Sequence, residues 1–273
     1  MAGEKSDTSD RELIDYHISN GIAVLTLNDP PANTYSYEMM QQLDRAILNA
    51  RMDDAVQVIV LTGKGDKFFC AGADIQMLAN VTPTFKYYFC LHANETLNRL
   101  EQTSKLVIAA INGHCVGGGL EVALAADIRI ARRAGGKMGL PEVSLGVLPG
   151  TGGTQRLVRV VGKSRAIEMM ATGELFPFEV CHEIGLIDRL LDADTAESLL
   201  EQVLEYARQF TAPSKASMAV GRIKRSVQTG AEIPLEYGLA LERELQQQLF
   251  QSEDAKEGLD AYVGKRKAEF KGR

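Results

Sequence analysis

The chain has 273 residues, is 45% hydrophobic and 24% charged, and carries a formal net charge of −6 with a pI of about 5.4. Such a length accommodates one large α/β domain, or one domain with a smaller appendage, around a sizeable core. The acidic balance argues against nucleic acid as the principal partner, because neutralising phosphates requires a positive surface.

The segment Met1 to Glu12 is polar and has no apolar stretch behind a basic start, so no signal peptide is expected. No apolar run reaches the roughly 18 residues of a membrane span. The expected location is cytoplasmic, and the sequons at Asn80 and Asn94 are read as chance matches. Strand-like runs at Ile22–Leu27, Val58–Thr62, Leu106–Ile111 and Ile128–Ala131 alternate with helical patterns, which favours largely parallel pairing. Ser36 is the expected N-cap of a helix carrying Met39, Met40, Leu43, Ile47 and Ala50 on one face. Further helices are expected over Phe85 to Glu101, from Gly119 to about Ala126, and over Ser164 to Ala171 with Gly173 as the stop. Beyond Asp192 only helical patterns follow, at Ala196–Phe210, Lys215–Val227, Leu235–Phe250 and Glu253–Val263. The division is a core over residues 1–210 and a helical C-terminal region over 211–273.

Four widely spaced cysteines (Cys70, Cys90, Cys115, Cys181) form no Cys-x-x-Cys pair, and the histidines do not approach them at metal-ligand spacing. Neither a metal nor a disulfide framework is expected. Gly162-Lys163-Ser164 ends like a phosphate-binding loop, but Leu157 stands where that motif needs glycine. Ser144 lacks the first glycine of a nucleophile elbow. The glycine clusters also miss the dinucleotide-binding spacing, which disfavours a nicotinamide cofactor. His114 is expected to pack in a strand-to-helix loop, and His17, His92 and His182 are read as fillers.

Two stretches carry chemistry. Ala110-Ile111-Asn112-Gly113 runs into Gly117-Gly118-Gly119-Leu120-Glu121, and Leu140-Pro141-Glu142 precedes Pro149-Gly150-Thr151-Gly152-Gly153-Thr154-Gln155-Arg156. An apolar strand, a glycine turn and a helix start leave unpaired N–H groups at the positive end of a helix dipole, beside two carboxylates. The small residues of Phe68-Phe69-Cys70-Ala71-Gly72-Ala73-Asp74-Ile75 would let backbone approach a ligand closely.

Together these motifs resemble the crotonase superfamily, and within it the enoyl-CoA hydratases, over nearly the whole chain. The resemblance implies an α/β fold with a ββα spiral core and an acyl-CoA substrate, with no separate cofactor because coenzyme A belongs to the substrate. Ala73 and Gly118 match the positions whose amides form the family's oxyanion hole, Glu121 and Glu142 match its two catalytic glutamates, and Ala73, Asp74, Ile75 and Gln76 match the substrate-lining stretch. Two departures stand out: many relatives carry lysine in place of Gln76, and the segment from Glu121 to Glu142 is one residue longer than usual. The resemblance also implies a homotrimer or a dimer of trimers, and a basic tail from Lys265 to Lys271 that is either solvated or drawn to CoA phosphates. Asp74 is read as ending a helix, pairing with a base or touching substrate, and Glu168 as exposed or salt-bridged. Leu239, Leu241, Leu245, Leu249 and Phe250 fit a subunit interface or intrachain packing equally. The alternatives to hydration are an isomerase using one carboxylate, another acyl-CoA reaction, and a non-catalytic or RNA-binding relative.

Overall fold

The structure, a computed structural model, describes residues 11–273. The segment up to Asp10, part of the stretch read as lacking a signal peptide, lies outside the described residues. In chain order, β1 (Ile14–Ser19) and β2 (Ile22–Leu27) form a hairpin, followed by α1 (Tyr37–Met52), β3 (Val58–Gly63), β4 (Phe68–Cys70), α2 (Ile75–Ala79) and α3 (Pro83–Glu101). Next come β5 (Leu106–Ile111), β6 (His114–Val116), α4 (Gly118–Leu124), β7 (Ile128–Arg132) and β8 (Lys137–Gly139). A 3-10 turn (Glu142–Leu145) leads to α5 (Gly153–Val161), α6 (Lys163–Thr172), β9 (Phe176–Pro177), α7 (Phe178–Glu183) and β10 (Arg189–Leu191). Helices α8 (Ala196–Arg208), α9 (Ser217–Gly230), α10 (Leu235–Phe250) and α11 (Glu253–Val263) complete the chain.

A six-stranded sheet has the order β1-β2-β3-β5-β7-β10, parallel except for the hairpin, and a smaller sheet has the order β4-β6-β8-β9. Three successive units each give one strand to the large sheet and the next to the small one, and then turn into a helix. The chain thus winds as the expected spiral of ββα turns.

The central strands β3 and β5 are buried along their whole length. Ile59, Leu61, Val107 and Ala109 face Met40, Leu43 and Ile47 of α1, whereas Val58, Val60, Leu106 and Ile108 face Leu199, Val203 and Ala207 of α8. Apolar residues on both faces produce the continuous runs by which these strands are recognisable. Ser36 caps α1, its side chain accepting from the Met39 N–H at 3.2 Å. Helices α10 and α11 have the expected boundaries.

The structure adds strands that the sequence reading omits. β4, β6, β8, β9 and β10 are two or three residues long, too short to display a period. β1 is an edge strand in which polar Asp15, His17 and Ser19 alternate with Ile14, Tyr16 and Ile18, so no continuous apolar run marks it. Residues 153–156, read as loop, open helix α5.

Helix α9 is anchored by a buried ion pair, Lys224 to Asp127 at 2.8 Å. The tail folds back on α11: buried Asp254 accepts from the amides of Lys271 (2.7 Å) and Gly272 (2.8 Å), and Arg266 forks onto Glu257 at 2.5 and 2.7 Å.

Candidate active site

Two buried amide side chains brace the crossing from β3 to β4. Asn112 accepts from the Gly63 N–H (3.1 Å) and donates to the carbonyls of Gly65 (2.5 Å) and Phe68 (3.1 Å). Asn33 donates to the carbonyls of Lys64 (3.0 Å) and Phe68 (2.9 Å). The segment that follows β4 pairs with Tyr35 as a parallel bridge: the Tyr35 N–H donates to the Gly72 carbonyl (2.9 Å), and the Asp74 N–H to the Tyr35 carbonyl (3.1 Å). Because parallel pairing uses the flanking residues, the Ala73 N–H between them points the other way, and it meets no acceptor among the described residues.

Gly118 supplies the first N–H of α4, which has no intrahelical partner. The two backbones are in contact here, since a Cβ on Gly72 would lie 3.1 Å from the Gly118 nitrogen. Each residue of the glycine triplet meets a different neighbour. Gly117 takes φ +55 with Glu142 Oε1 alongside, Gly118 lies on the Tyr35 phenol where a Cβ would overlap it, and Gly119 lies on the Cys70 carbonyl. The structure therefore brings Ala73 and Gly118 together with both amides unspent.

Glu121, one turn along α4, is 2% exposed. Its Oε1 accepts from the main-chain N–H groups of Thr151 and Gly153, each at 2.7 Å, and its Oε2 accepts from the Thr151 hydroxyl. Glu142 lies in the opposite setting. Its Oε2 is buried without a hydrogen-bond partner, and burial, followed by the nearby charge of Glu121, pushes its pKa up to about 7. Lys86, whose ammonium sits 5.5 Å from the Phe89 ring centroid, pulls the other way. Three donors thus surround Glu121, whereas Glu142 has only its own main-chain N–H, which opposes the upward shift, and leaves Oε2 bare, the kind of contrast that separates acid from base.

Asp74 starts a helix rather than ending one: its side chain accepts from the amides of Gln76 (2.8 Å) and Met77 (3.3 Å) and caps α2. Ile75 and Gln76 are exposed on that helix. His114 lies within β6, not in a loop; its Nδ1 accepts from the Lys137 N–H at 3.0 Å and its ring packs on Phe68. Glu168 is exposed, and Leu245 is buried whereas Leu239 and Phe250 are not. Among the described residues no group of three or more His, Cys, Asp or Glu stands where it would hold a metal ion. Sequence reasoning missed Tyr35, Asn33 and the Thr151 side chain as parts of the site. Tyr35 is remote in sequence and Thr151 sits inside a glycine-rich run, so only the three-dimensional contacts single them out.

The chain has relatives among known proteins. A family model described as enoyl-CoA hydratase/isomerase matches residues 17–273. A short-chain-enoyl-CoA hydratase of Clostridium acetobutylicum is 36% identical, with 92% of this chain and 95% of that protein aligned. A mitochondrial enoyl-CoA hydratase of Pongo abelii is 38% identical, over 93% of this chain and 84% of that one. The crystal structure of an enoyl-CoA hydratase from Geobacillus kaustophilus superimposes with a TM-score of 0.93 at 43% identity, covering 97% of this chain and 98% of that one.

Proposed function

The chain belongs to the enoyl-CoA hydratase/isomerase family, and on that premise we propose that it is an enoyl-CoA hydratase, adding water across the 2,3 double bond of an enoyl-CoA thioester to give a 3-hydroxyacyl-CoA. The contrast between Glu121 and Glu142 carries this reading, since hydration requires one group to take a proton from water and another to give one to carbon.

In the proposed mechanism the thioester oxygen lies between the Ala73 and Gly118 amides, which stabilise the negative charge it gains as water adds to the β-carbon. Removing one such donor in other enzymes costs about 2.7–4 kcal/mol of transition-state stabilisation. Glu121 accepts a proton from the attacking water. Glu142, holding its proton to about pH 7, passes it to the α-carbon. The cycle closes when the proton gained by Glu121 returns to Glu142, so the pair shares a single proton. Gln76, exposed on α2, and Ile75 beside it are in reach of a substrate that approaches from solvent.

The reaction as proposed uses no cofactor beyond the coenzyme A of its substrate. No helix among the described residues is long and apolar enough to cross a membrane; a cytoplasmic location and a place in reactions of the fatty-acid β-oxidation type are part of the proposal. The apolar residues left exposed on α10 and α11, including Leu235, Tyr237, Phe250 and Tyr262, support a homo-oligomer, and the trimer or dimer of trimers is what the resemblance implies. An RNA-binding role is disfavoured because the tail's Arg266 is already paired with Glu257, and Lys271 and Arg273 with Glu253.

The test is turnover of crotonyl-CoA in oxygen-labelled water. Hydration places the solvent oxygen on the β-carbon, whereas isomerisation places none there. Glu121→Gln and Glu142→Gln are each expected to lower turnover by about 10²–10⁴-fold while still binding acyl-CoA; near-normal rates in both refute the assignment.

A further inference from the structure

A carboxylate offers about four lone pairs, and three of those on Glu121 are taken. The Thr151 and Gly153 amides occupy Oε1, and the Thr151 hydroxyl occupies one position on Oε2. One acceptor position remains, on Oε2. We propose that Thr151 is a positioning residue for the hydration step: its hydroxyl, backed by the Tyr35 phenol, fixes the direction of that last lone pair and so the place from which water is deprotonated. This rests on the reading of Glu121 as the group that accepts the water proton.

The amides at 151 and 153 would be present with almost any side chain at position 151, so the hydroxyl is the contribution specific to threonine. Its hydrogen points at Glu121, because an ionised carboxylate only accepts. The Thr151 oxygen is then left to accept from Tyr35, whose hydroxyl lies 3.4 Å away. The result is a directed chain, Tyr35 to Thr151 to Glu121, in which the three residues are 3%, 2% and 2% exposed. Away from competing water the charge-assisted Thr151–Glu121 bond is the strong link, and the 3.4 Å Tyr35–Thr151 contact is the weaker one. Burial, and then the charge of Glu121, push the Tyr35 pKa upward, which keeps the phenol a donor.

The experiment compares Thr151→Val, Thr151→Ser and Tyr35→Phe for kcat and KM with crotonyl-CoA. Thr151→Val removes the hydroxyl at nearly constant volume and is expected to lower kcat by about 10- to 100-fold, the range for a hydrogen bond to a charged group, with KM within about twofold. Thr151→Ser restores most of the loss. Tyr35→Phe gives a smaller loss that disappears when it is combined with Thr151→Val, as coupling through one chain requires. Wild-type kcat in Thr151→Val, or equal losses in the valine and serine variants, overturns the inference. If the valine variant does not fold, undiminished turnover in Tyr35→Phe overturns it. An inactive Glu121→Gln beside a fully active Thr151→Val removes the inference and leaves the hydratase reading intact; a wild-type chain that adds no water to any enoyl-CoA removes both.

Discussion

Gly118 lies on the phenol of Tyr35 so closely that a Cβ at position 118 would overlap the hydroxyl. The amide proposed to bind the thioester oxygen is thus held in place by a ring from the bridge segment that precedes α1. Gly118→Ala must displace either the ring or the first turn of α4, neither of which is the end of a flexible side chain. Overpacking of this kind costs about 1–3 kcal/mol. Urea unfolding is expected to show that loss together with a fall in kcat larger than any rise in KM; an alanine variant with wild-type stability and turnover would contradict this packing.

The raised proton affinity of Glu142 predicts a falling limb in the rate profile. If Glu142 delivers the α-proton, kcat/KM for hydration declines as pH rises through about 7, where the group ionises. A profile that climbs through that range would remove Glu142 from the acid role.

The same shift has a consequence for stability. Between the ordinary glutamate value of 4.5 and the folded value of about 7, the folded chain binds more protons than the unfolded one. This group's contribution therefore makes stability fall as pH rises through that window, and it levels off above it. Glu142→Gln removes the effect, so the variant gains on the wild type when melting is measured at about pH 8 rather than about pH 5. A difference that does not vary with pH would count against a carboxyl held with one oxygen buried and unpartnered.

Lys224 and Asp127 join α9 to the loop between α4 and β7, and burial is the main pressure on both, raising the aspartate's pKa and lowering the lysine's. Lys224→Met leaves Asp127 buried with its cation gone, a change that typically costs about 3–5 kcal/mol. Chemical unfolding checks the loss, while turnover of the folded fraction is expected to stay close to wild type.

Asn112 predicts an effect that travels to the site. Asn112→Ala takes this partner from the Gly63 N–H and the Gly65 carbonyl, while the Phe68 carbonyl keeps Asn33, at a cost on the order of 1–3 kcal/mol for each group left unsatisfied. Since β4 leads directly to Ala73, kcat is expected to fall along with stability, whereas a variant that only melts earlier would place Asn112 outside the site's support.

Much of this protein is legible in its residues because the decisive signals are local. The apolar runs of β3 and β5 are buried on both faces, Ser36 opens α1 with its own side chain, and the separate matches of Ala73, Gly118, Glu121 and Glu142 lie in short motifs. Tertiary structure alone decides how those motifs meet. The short strands β4, β6 and β8 carry too few residues to show a period, yet their pairing is what brings Gly72 against Gly118. The differing surroundings of Glu121 and Glu142 depend on which loop closes over each carboxylate, and Tyr35 and Thr151, 116 residues apart, are joined only by folding. A hydrogen bond or a desolvated oxygen is a property of position in space, and the linear order of the chain specifies it only through the packing that the whole core imposes.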